Sequence, residues 1–112
     1  MNHGMFRGLR LEVTTMDIQK IERIAREARH QCGGDYIDGW YAIRDAVKTA
    51  LKGEGVGWEV ADMTSRSYAY ATYEWSGWDC TWAQARGILE SADPDAGWES
   101  AADVAEEHGF RD

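Results

Sequence analysis

The 112-residue sequence lacks any run of 18 or more apolar residues, so it has no segment typical of a membrane-spanning helix. Its N-terminal segment, MNHGMFRGLRLEVTT, also lacks the apolar core of a secretory signal. Neither membrane insertion nor export is therefore indicated, and we expect a cytoplasmic protein. A chain of this length is expected to form a single domain, 1–112, with residues 1–13 as a flexible or strand-like N-terminal arm.

Cysteine is also scarce. Cys32 and Cys80 are too few for a disulfide scaffold, and in a reducing compartment we expect both to be small buried side chains. Together with His30 and His108 they are the candidate soft metal ligands, and no CxxC or HExxH spacing occurs. The sequence therefore predicts no metal site.

Signatures of catalysis are missing as well. The sequence has no GxSxG, P-loop or GxGxxG motif. Cys32 and His30 fall on different sides of a predicted helix, which leaves Cys80 with His108 as an open alternative for a nucleophile and its base. We expect a protein that is not an enzyme and needs no cofactor.

Basic residues are few in the second half of the chain. Residues 1–30 carry a net charge of +2 and residues 31–53 are neutral, whereas residues 54–112 hold thirteen acids against three arginines, for a net charge of −10. Such a field repels phosphate backbones and anionic lipids and attracts basic surfaces. The charge therefore disfavours direct binding to nucleic acid or membranes and favours a basic protein as partner.

Apolar spacing predicts four helices, at about 14–32, 35–53, 76–92 and 93–109. The first two are expected to form an antiparallel hairpin, because only a few residues separate them.

Several helix ends are predicted from their capping residues. Ser76 opens a capping box for the third helix. Asp93 is the predicted N-cap of the fourth, with Pro94 at its first position. Gly109 followed by Phe110 predicts a Schellman ending.

The segment between the second and third helices favours strands. Val56, Trp58 and Val60 alternate, the aromatic-rich residues 67–75 suit a second strand, and residues 62–66 make a plausible turn. Because residues 67–75 also contain alanine, a helix there stays open. The predicted fold is mainly helical (α+β): four helices with a small aromatic-rich β-hairpin between helices two and three.

The C-terminal helix carries a stripe of acids. At about 100° per residue, its carboxylates fall within about 120° of one another, opposite the apolar side. The candidate partner-binding acids of this stripe and its flank are Asp95, Glu99, Asp103, Glu106, Glu107, Glu90 and Asp93. The alternative interpretation is a solvated helix face that serves solubility alone.

The density of these acids indicates partial mimicry of DNA. Residues 90–112 hold eight acids, about one every 5 Å along a helix, against about 3.4 Å between the charges of a DNA strand. A second acidic row would need other residues to lie alongside, namely Glu54, Glu59, Asp62, Glu74 and Asp79.

Aromatic residues are abundant, with six tryptophans and five tyrosines. Trp40, Trp78, Trp82 and Trp98 fall on predicted core stripes. Exposed aromatics inside a charged rim are typical of protein interfaces. The candidate aromatic contact residues are Trp58, Trp75 and Tyr73.

Together these features predict a small acidic binding protein that blocks a basic, nucleic-acid-binding surface of another protein. Phages and mobile elements direct inhibitors of this kind, including DNA mimics, against host restriction or CRISPR systems. Three alternatives stay open: an immunity protein or antitoxin that neutralises a basic toxin, a small enzyme, and a homo-oligomeric structural protein, for instance a homodimer, in which the basic first helix meets the acidic last helix of a neighbour.

Overall fold

A computed structural model describes residues 18–32, 36–73 and 81–110, and every regular element in these ranges is a helix. Helix α1 covers residues 18–31. Four further helices follow it: α2 (Tyr36–Gly53), α3 (Trp58–Tyr73), α4 (Trp82–Ser91) and α5 (Trp98–Glu107). No helix within these ranges combines the length and the apolar character needed to cross a membrane. The predicted N-terminal arm and the predicted cap at 14–17 lie outside the described residues.

Helices α1 and α2 pack through the apolar stripes that the sequence predicts. The buried members on α1 are Ile18, Ile21, Ala25 and Ala28, and those on α2 are Ile43, Val47 and Leu51. Lys20, near the start of α1, bonds Glu54, just beyond the end of α2, while Cys32 after α1 contacts the Asp38 carbonyl in the first turn of α2. The two helices therefore run antiparallel, which confirms the predicted hairpin of helices.

The predicted β-hairpin is wrong. Helix α3 begins at Trp58 and continues to Tyr73, so one helix covers the predicted turn at 62–66 and most of the predicted second strand. Val56 of the predicted first strand lies in the connection before this helix. The fold of the described residues is all-helical, with five helices in place of four.

The reason lies in the position of α3 between two apolar clusters. Ala61, Tyr68 and Ala69 pack into a first cluster with residues of α1 and α2. Val60, Met63 and Ala71 pack into a second cluster with residues of α4 and α5. A helix buried on two sides has no single apolar stripe, so its sequence does not show the 3.6-residue period.

Helix α4 starts later than the capping box at Ser76 predicts. Its N-cap is Thr81, whose hydroxyl accepts a hydrogen bond from the Gln84 amide, while the Gln84 side-chain oxygen accepts one from the Thr81 amide. These reciprocal bonds form a capping box and fix the first helical residue at Trp82. Ser76 itself lies outside the described residues.

Helix α5 has the predicted end and a different start. Its N-cap is Gly97 instead of Asp93, because residues 93–97 form a turn in which the Asp93 carboxylate accepts a hydrogen bond from the Asp95 amide. At the other end the Gly109 amide bonds the Glu106 carbonyl and the Phe110 amide bonds the Ala105 carbonyl, with Gly109 at φ +85°. This confirms the predicted Schellman ending.

Candidate protein-binding surface

The acidic residues of α5 share one exposed side of the helix. Glu99, Asp103, Glu106 and Glu107 are exposed, and the buried residues of α5 are Ala101 and Ala105. At about 100° per residue the four acids span about 100° and lie opposite the two alanines. We call these four residues, together with the flanking Glu90, Asp93 and Asp95, the acidic face.

The three flanking acids extend the acidic face beyond α5. Asp93 and Asp95 lie in the turn between α4 and α5, and Glu90 lies near the end of α4. All three are exposed. The structure therefore places all seven predicted acidic contact residues on α4, α5 and the turn that joins them.

None of these seven carboxylates forms an ion pair with any residue in the described ranges. The ion pairs of those ranges lie elsewhere, on α1, α2, α3 and at Arg86 of α4. The nearest base on the same helix as Glu90 is Arg86, whose guanidinium is already held by Glu22 of α1. The acidic face thus has no ion-pair partner among the described residues, although the pKa of Arg86, raised chiefly by its hydrogen bonds to Glu22, is raised further by the charge of Glu90.

Two acids of the second acidic row considered from the sequence already have basic partners within the chain. Glu54 is paired with Lys20, and Asp62 is paired with Lys48 and Arg66. Glu59 is half-buried at the start of α3. Glu74 and Asp79 lie outside the described residues. Two of the described acids in this row are thus already paired within the chain, whereas the seven acids of the acidic face have no ion-pair partner among the described residues.

Two exposed tryptophans lie beside the turn of the acidic face. Trp58 and Trp98 are the first residues of α3 and α5, and their rings meet edge to face with centroids 4.9 Å apart. Both remain well exposed, at 47% and 41%. The prediction that Trp98 belongs to the core is wrong, because the late start of α5 places it at the helix end.

Near the tryptophan pair, a tight backbone contact joins the start of α3 to the turn before α5. The Gly57 amide, just before α3, donates a hydrogen bond to the Pro94 carbonyl at 2.7 Å. A Cβ atom at Gly57 would lie 2.5 Å from that carbonyl oxygen, so only glycine fits there. The start of α3 is thereby fixed against the turn that carries Asp93 and Asp95.

A lysine completes this cluster. The ammonium of Lys48, on α2, lies 4.8 Å from the centroid of the Trp58 ring and bonds the Asp62 carboxylate at 3.0 Å. This geometry is a cation–π contact. Sequence spacing gives no sign of it, because the three residues belong to different turns of two helices.

Tyr73 and Trp75 are the other two aromatic contact residues predicted from the sequence. Tyr73 is the last residue of α3, and Trp75 lies outside the described residues. The structure thus brings Trp58 next to the acidic face and leaves Trp75 and Tyr73 as predictions.

A polar cluster centred on the buried side chains of Glu22 and Tyr68 joins three helices. The Glu22 carboxylate accepts two hydrogen bonds from the Arg86 guanidinium, at 2.9 and 3.0 Å, and one from the Tyr68 hydroxyl at 3.0 Å. Burial, reinforced by the charge of Glu22 and by the hydrogen bond to it, raises the pKa of Tyr68. The same hydrogen bonds and charge raise the pKa of Arg86. The cluster ties α1 to α3 and α4.

Cys32, Cys80 and His108 are among the residues that the sequence offers for catalysis or metal binding. His108, at the C-cap of α5, bonds the Ser91 hydroxyl through Nε2 at 3.0 Å, and Cys80 lies outside the described residues. Cys32 is a free thiol and only partly buried, in contrast to the predicted core position. Within the described ranges, no group of three or more His, Cys, Asp or Glu side chains is arranged to hold a metal ion.

Comparisons with known proteins give no relative: no protein-family model matches the chain, and no curated protein or solved structure matches it.

Proposed function

We propose that this protein is a non-enzymatic binding protein that occupies a basic, nucleic-acid-binding surface of another protein. The observation that carries the proposal is the acidic face, with seven exposed carboxylates that have no ion-pair partner among the described residues. An ordinary solvated helix face mixes charges of both signs, whereas α5 contains no lysine or arginine. A surface of one sign speeds and orients the encounter with a surface of the opposite sign.

The mechanism is steric and electrostatic. Lysine and arginine side chains of the partner, which would otherwise contact phosphates, pair with the acidic face and are withdrawn from nucleic acid. Because Glu54 and Asp62 already have basic partners within the chain, the imitation of a phosphate backbone is limited to one row of charges. A cytoplasmic inhibitor of a host restriction or CRISPR system, made by a phage or mobile element, is the biological role we favour.

The alternative of self-association through the basic side of α1 has weaker support. Lys20 is paired with Glu54, the Arg26 guanidinium lies 4.6 Å from the centroid of the Trp82 ring, and Arg29 bonds the Thr72 carbonyl. These three basic groups already have partners within the chain, whereas Arg23 of α1 is exposed without an ion-pair partner among the described residues.

A charge-reversal pull-down tests the proposal. Native protein and the variant Asp103→Lys/Glu106→Lys are immobilised and exposed to cell lysate, and the captured proteins are purified and assayed for nucleic-acid binding. We expect the native protein to retain a basic nucleic-acid-binding protein and to inhibit its binding of DNA or RNA. The variant is expected to bind that protein at least about tenfold more weakly, since each close charge pair contributes strongly to docking.

The matched control is Glu27→Lys/Asp45→Lys, which reverses two exposed acids on α1 and α2 and changes the net charge by the same amount. It should behave like the native protein. If the two double variants capture the same proteins with equal strength, or if the captured protein binds nucleic acid normally in the presence of the native chain, the proposed function is wrong.

A further inference from the structure

The tryptophan pair at the starts of α3 and α5 has a feature that packing alone does not explain. Trp58 and Trp98 contact each other at 4.9 Å but leave over two fifths of each residue open to solvent. Tryptophan is enriched among the residues that contribute most to binding near the centres of protein interfaces. Since the Gly57–Pro94 hydrogen bond fixes the start of α3 against the turn before α5, the pair is also preorganised for binding.

The surroundings of the pair favour a cation. Glu59 and Glu99 directly follow the two tryptophans, and Asp95 lies in the turn before Trp98. In addition, the ring of Trp58 already attracts the ammonium of Lys48, 4.8 Å from its centroid. Aromatic faces attract cations electrostatically, and neighbouring carboxylates strengthen that attraction.

We infer that the Trp58–Trp98 pair is the central contact of the partner-binding surface and receives an arginine side chain of the basic partner. The inference rests on the proposed function and adds the residue type that is recognised. Arginine fits better than lysine, because its planar, weakly hydrated guanidinium stacks on an indole while its N–H groups bond a carboxylate. A second copy of this chain does not fit, because its own Asp95 and Glu99 would be brought against the same charges.

Two peptides of equal charge, nona-arginine and nona-lysine, test the inference by calorimetric titration of the full chain at low ionic strength. Nona-arginine should bind more tightly. Trp98→Leu and Trp58→Leu should each weaken its binding by about two- to five-fold, with a smaller effect on nona-lysine. Trp98→Phe, which keeps an aromatic ring, should retain part of the preference. Tyr41→Leu, at an exposed aromatic residue of α2, is the control and should change nothing.

A lysine substitution gives a second test that leaves both tryptophans in place. Lys48→Gln removes the ammonium from the Trp58 ring, whereas Lys52→Gln removes the same charge from an exposed position on α2. Lys48→Gln should tighten nona-arginine binding more than Lys52→Gln does. Equal effects of the two lysine changes would contradict the inference.

The inference and the proposed function fail in different ways. Equal binding of the two peptides by the native chain, or an arginine preference unchanged by loss of either tryptophan, overturns the inference even if Asp103→Lys/Glu106→Lys abolishes capture of the partner. Conversely, a tryptophan-dependent arginine preference supports the inference, while the outcome of the pull-down alone decides the proposed function.

Discussion

Among single residues, Glu22 is the most constrained polar group of the described structure. Its buried carboxylate accepts three hydrogen bonds, two from Arg86 and one from Tyr68. A carboxylate removed from water in this way is stable only while its partners stay in place, because an unpaired buried charge is costly. The cluster therefore makes the packing of α1 against α3 and α4 sensitive to the ionisation of Tyr68.

Tyr68 makes the stability of the fold depend on pH. Burial and Glu22 raise its pKa above the value near 10 of an unfolded tyrosine. Its contribution to stability is therefore complete below about pH 10 and is lost as the pH rises above that value. We expect the free energy of unfolding to fall there by up to about 1.4 kcal/mol per pH unit from this group.

Urea unfolding from pH 8 to pH 11.5 measures this effect. Tyr68→Phe has no hydroxyl to ionise, so its stability should decline less steeply than that of the native protein above about pH 10. Tyr41→Phe, at an exposed position, should follow the native curve. Parallel curves for native protein and Tyr68→Phe would show that Tyr68 does not titrate as the structure indicates.

At the scale of elements, the structure contains each helix that one-sided apolar spacing predicts, and it contains α3 in addition. Helices α1 and α2 each have one buried stripe; α2 matches its predicted position, and α1 matches over its described residues 18–31. Helix α3 does not, because its two sides meet different apolar clusters. Tertiary burial, which the local sequence does not report, decides between strand and helix for such a segment.

Helix ends follow the same division between local and tertiary causes. The Schellman ending at Gly109 depends on backbone geometry within a few residues, and the sequence predicts it correctly. The start of α5 follows the turn at 93–97, which is held by the local Asp93–Asp95 hydrogen bond and is also bonded, at the Pro94 carbonyl, by the distant Gly57 amide. The seven predicted acids are all exposed, as local helix periodicity and turn residues indicate, whereas the exposure of Trp98 and its contact with Trp58 could not be predicted from local sequence.

The contact at Gly57 predicts an asymmetric pair of substitutions. In Gly57→Ala the new methyl group would meet the Pro94 carbonyl oxygen at 2.5 Å, and backbone must shift. We expect this variant to lose about 1–3 kcal/mol in the free energy of unfolding. Gly53→Ala, where a Cβ has open space, should be neutral or stabilising by up to about 1 kcal/mol.

Chemical denaturation measures both glycine variants, and nona-arginine binding reports on the neighbouring tryptophans. Gly57→Ala should also weaken that binding, since the start of α3 can no longer approach the turn before α5. A Gly57→Ala variant as stable as Gly53→Ala would show that the contact is not maintained in solution.

For the whole molecule, the distribution of charge matters more than the total of −8. Several positive side chains on α1 and α2 have acidic or aromatic partners within the chain, as Lys20, Lys48 and Arg26 do. The acids of α4 and α5 have no ion-pair partner among the described residues. Helix α5 even ends on Glu106 and Glu107, where the helix dipole disfavours negative charge. We therefore expect charge repulsion at this end of α5 to lower the stability of the helix, a cost that our proposal of a binding surface explains.

This cost can be measured by reversing charge at two levels of ionic strength. In Asp103→Lys/Glu106→Lys, a lysine at 103 is placed four residues from both Glu99 and Glu107, and one acid is removed from the helix end. At low salt this variant should be about 0.5–1.5 kcal/mol more stable than the native protein. In about 1 M NaCl, where the Debye length is about 3 Å, the difference should largely disappear. Glu27→Lys/Asp45→Lys should gain nothing comparable, because Asp45 is already paired with Arg44. Two outcomes would contradict this expectation: Asp103→Lys/Glu106→Lys gains the same stability at both salt concentrations, or it gains none at either. In both cases repulsion within the acidic face does not weaken the fold, and stability is not given up there for binding.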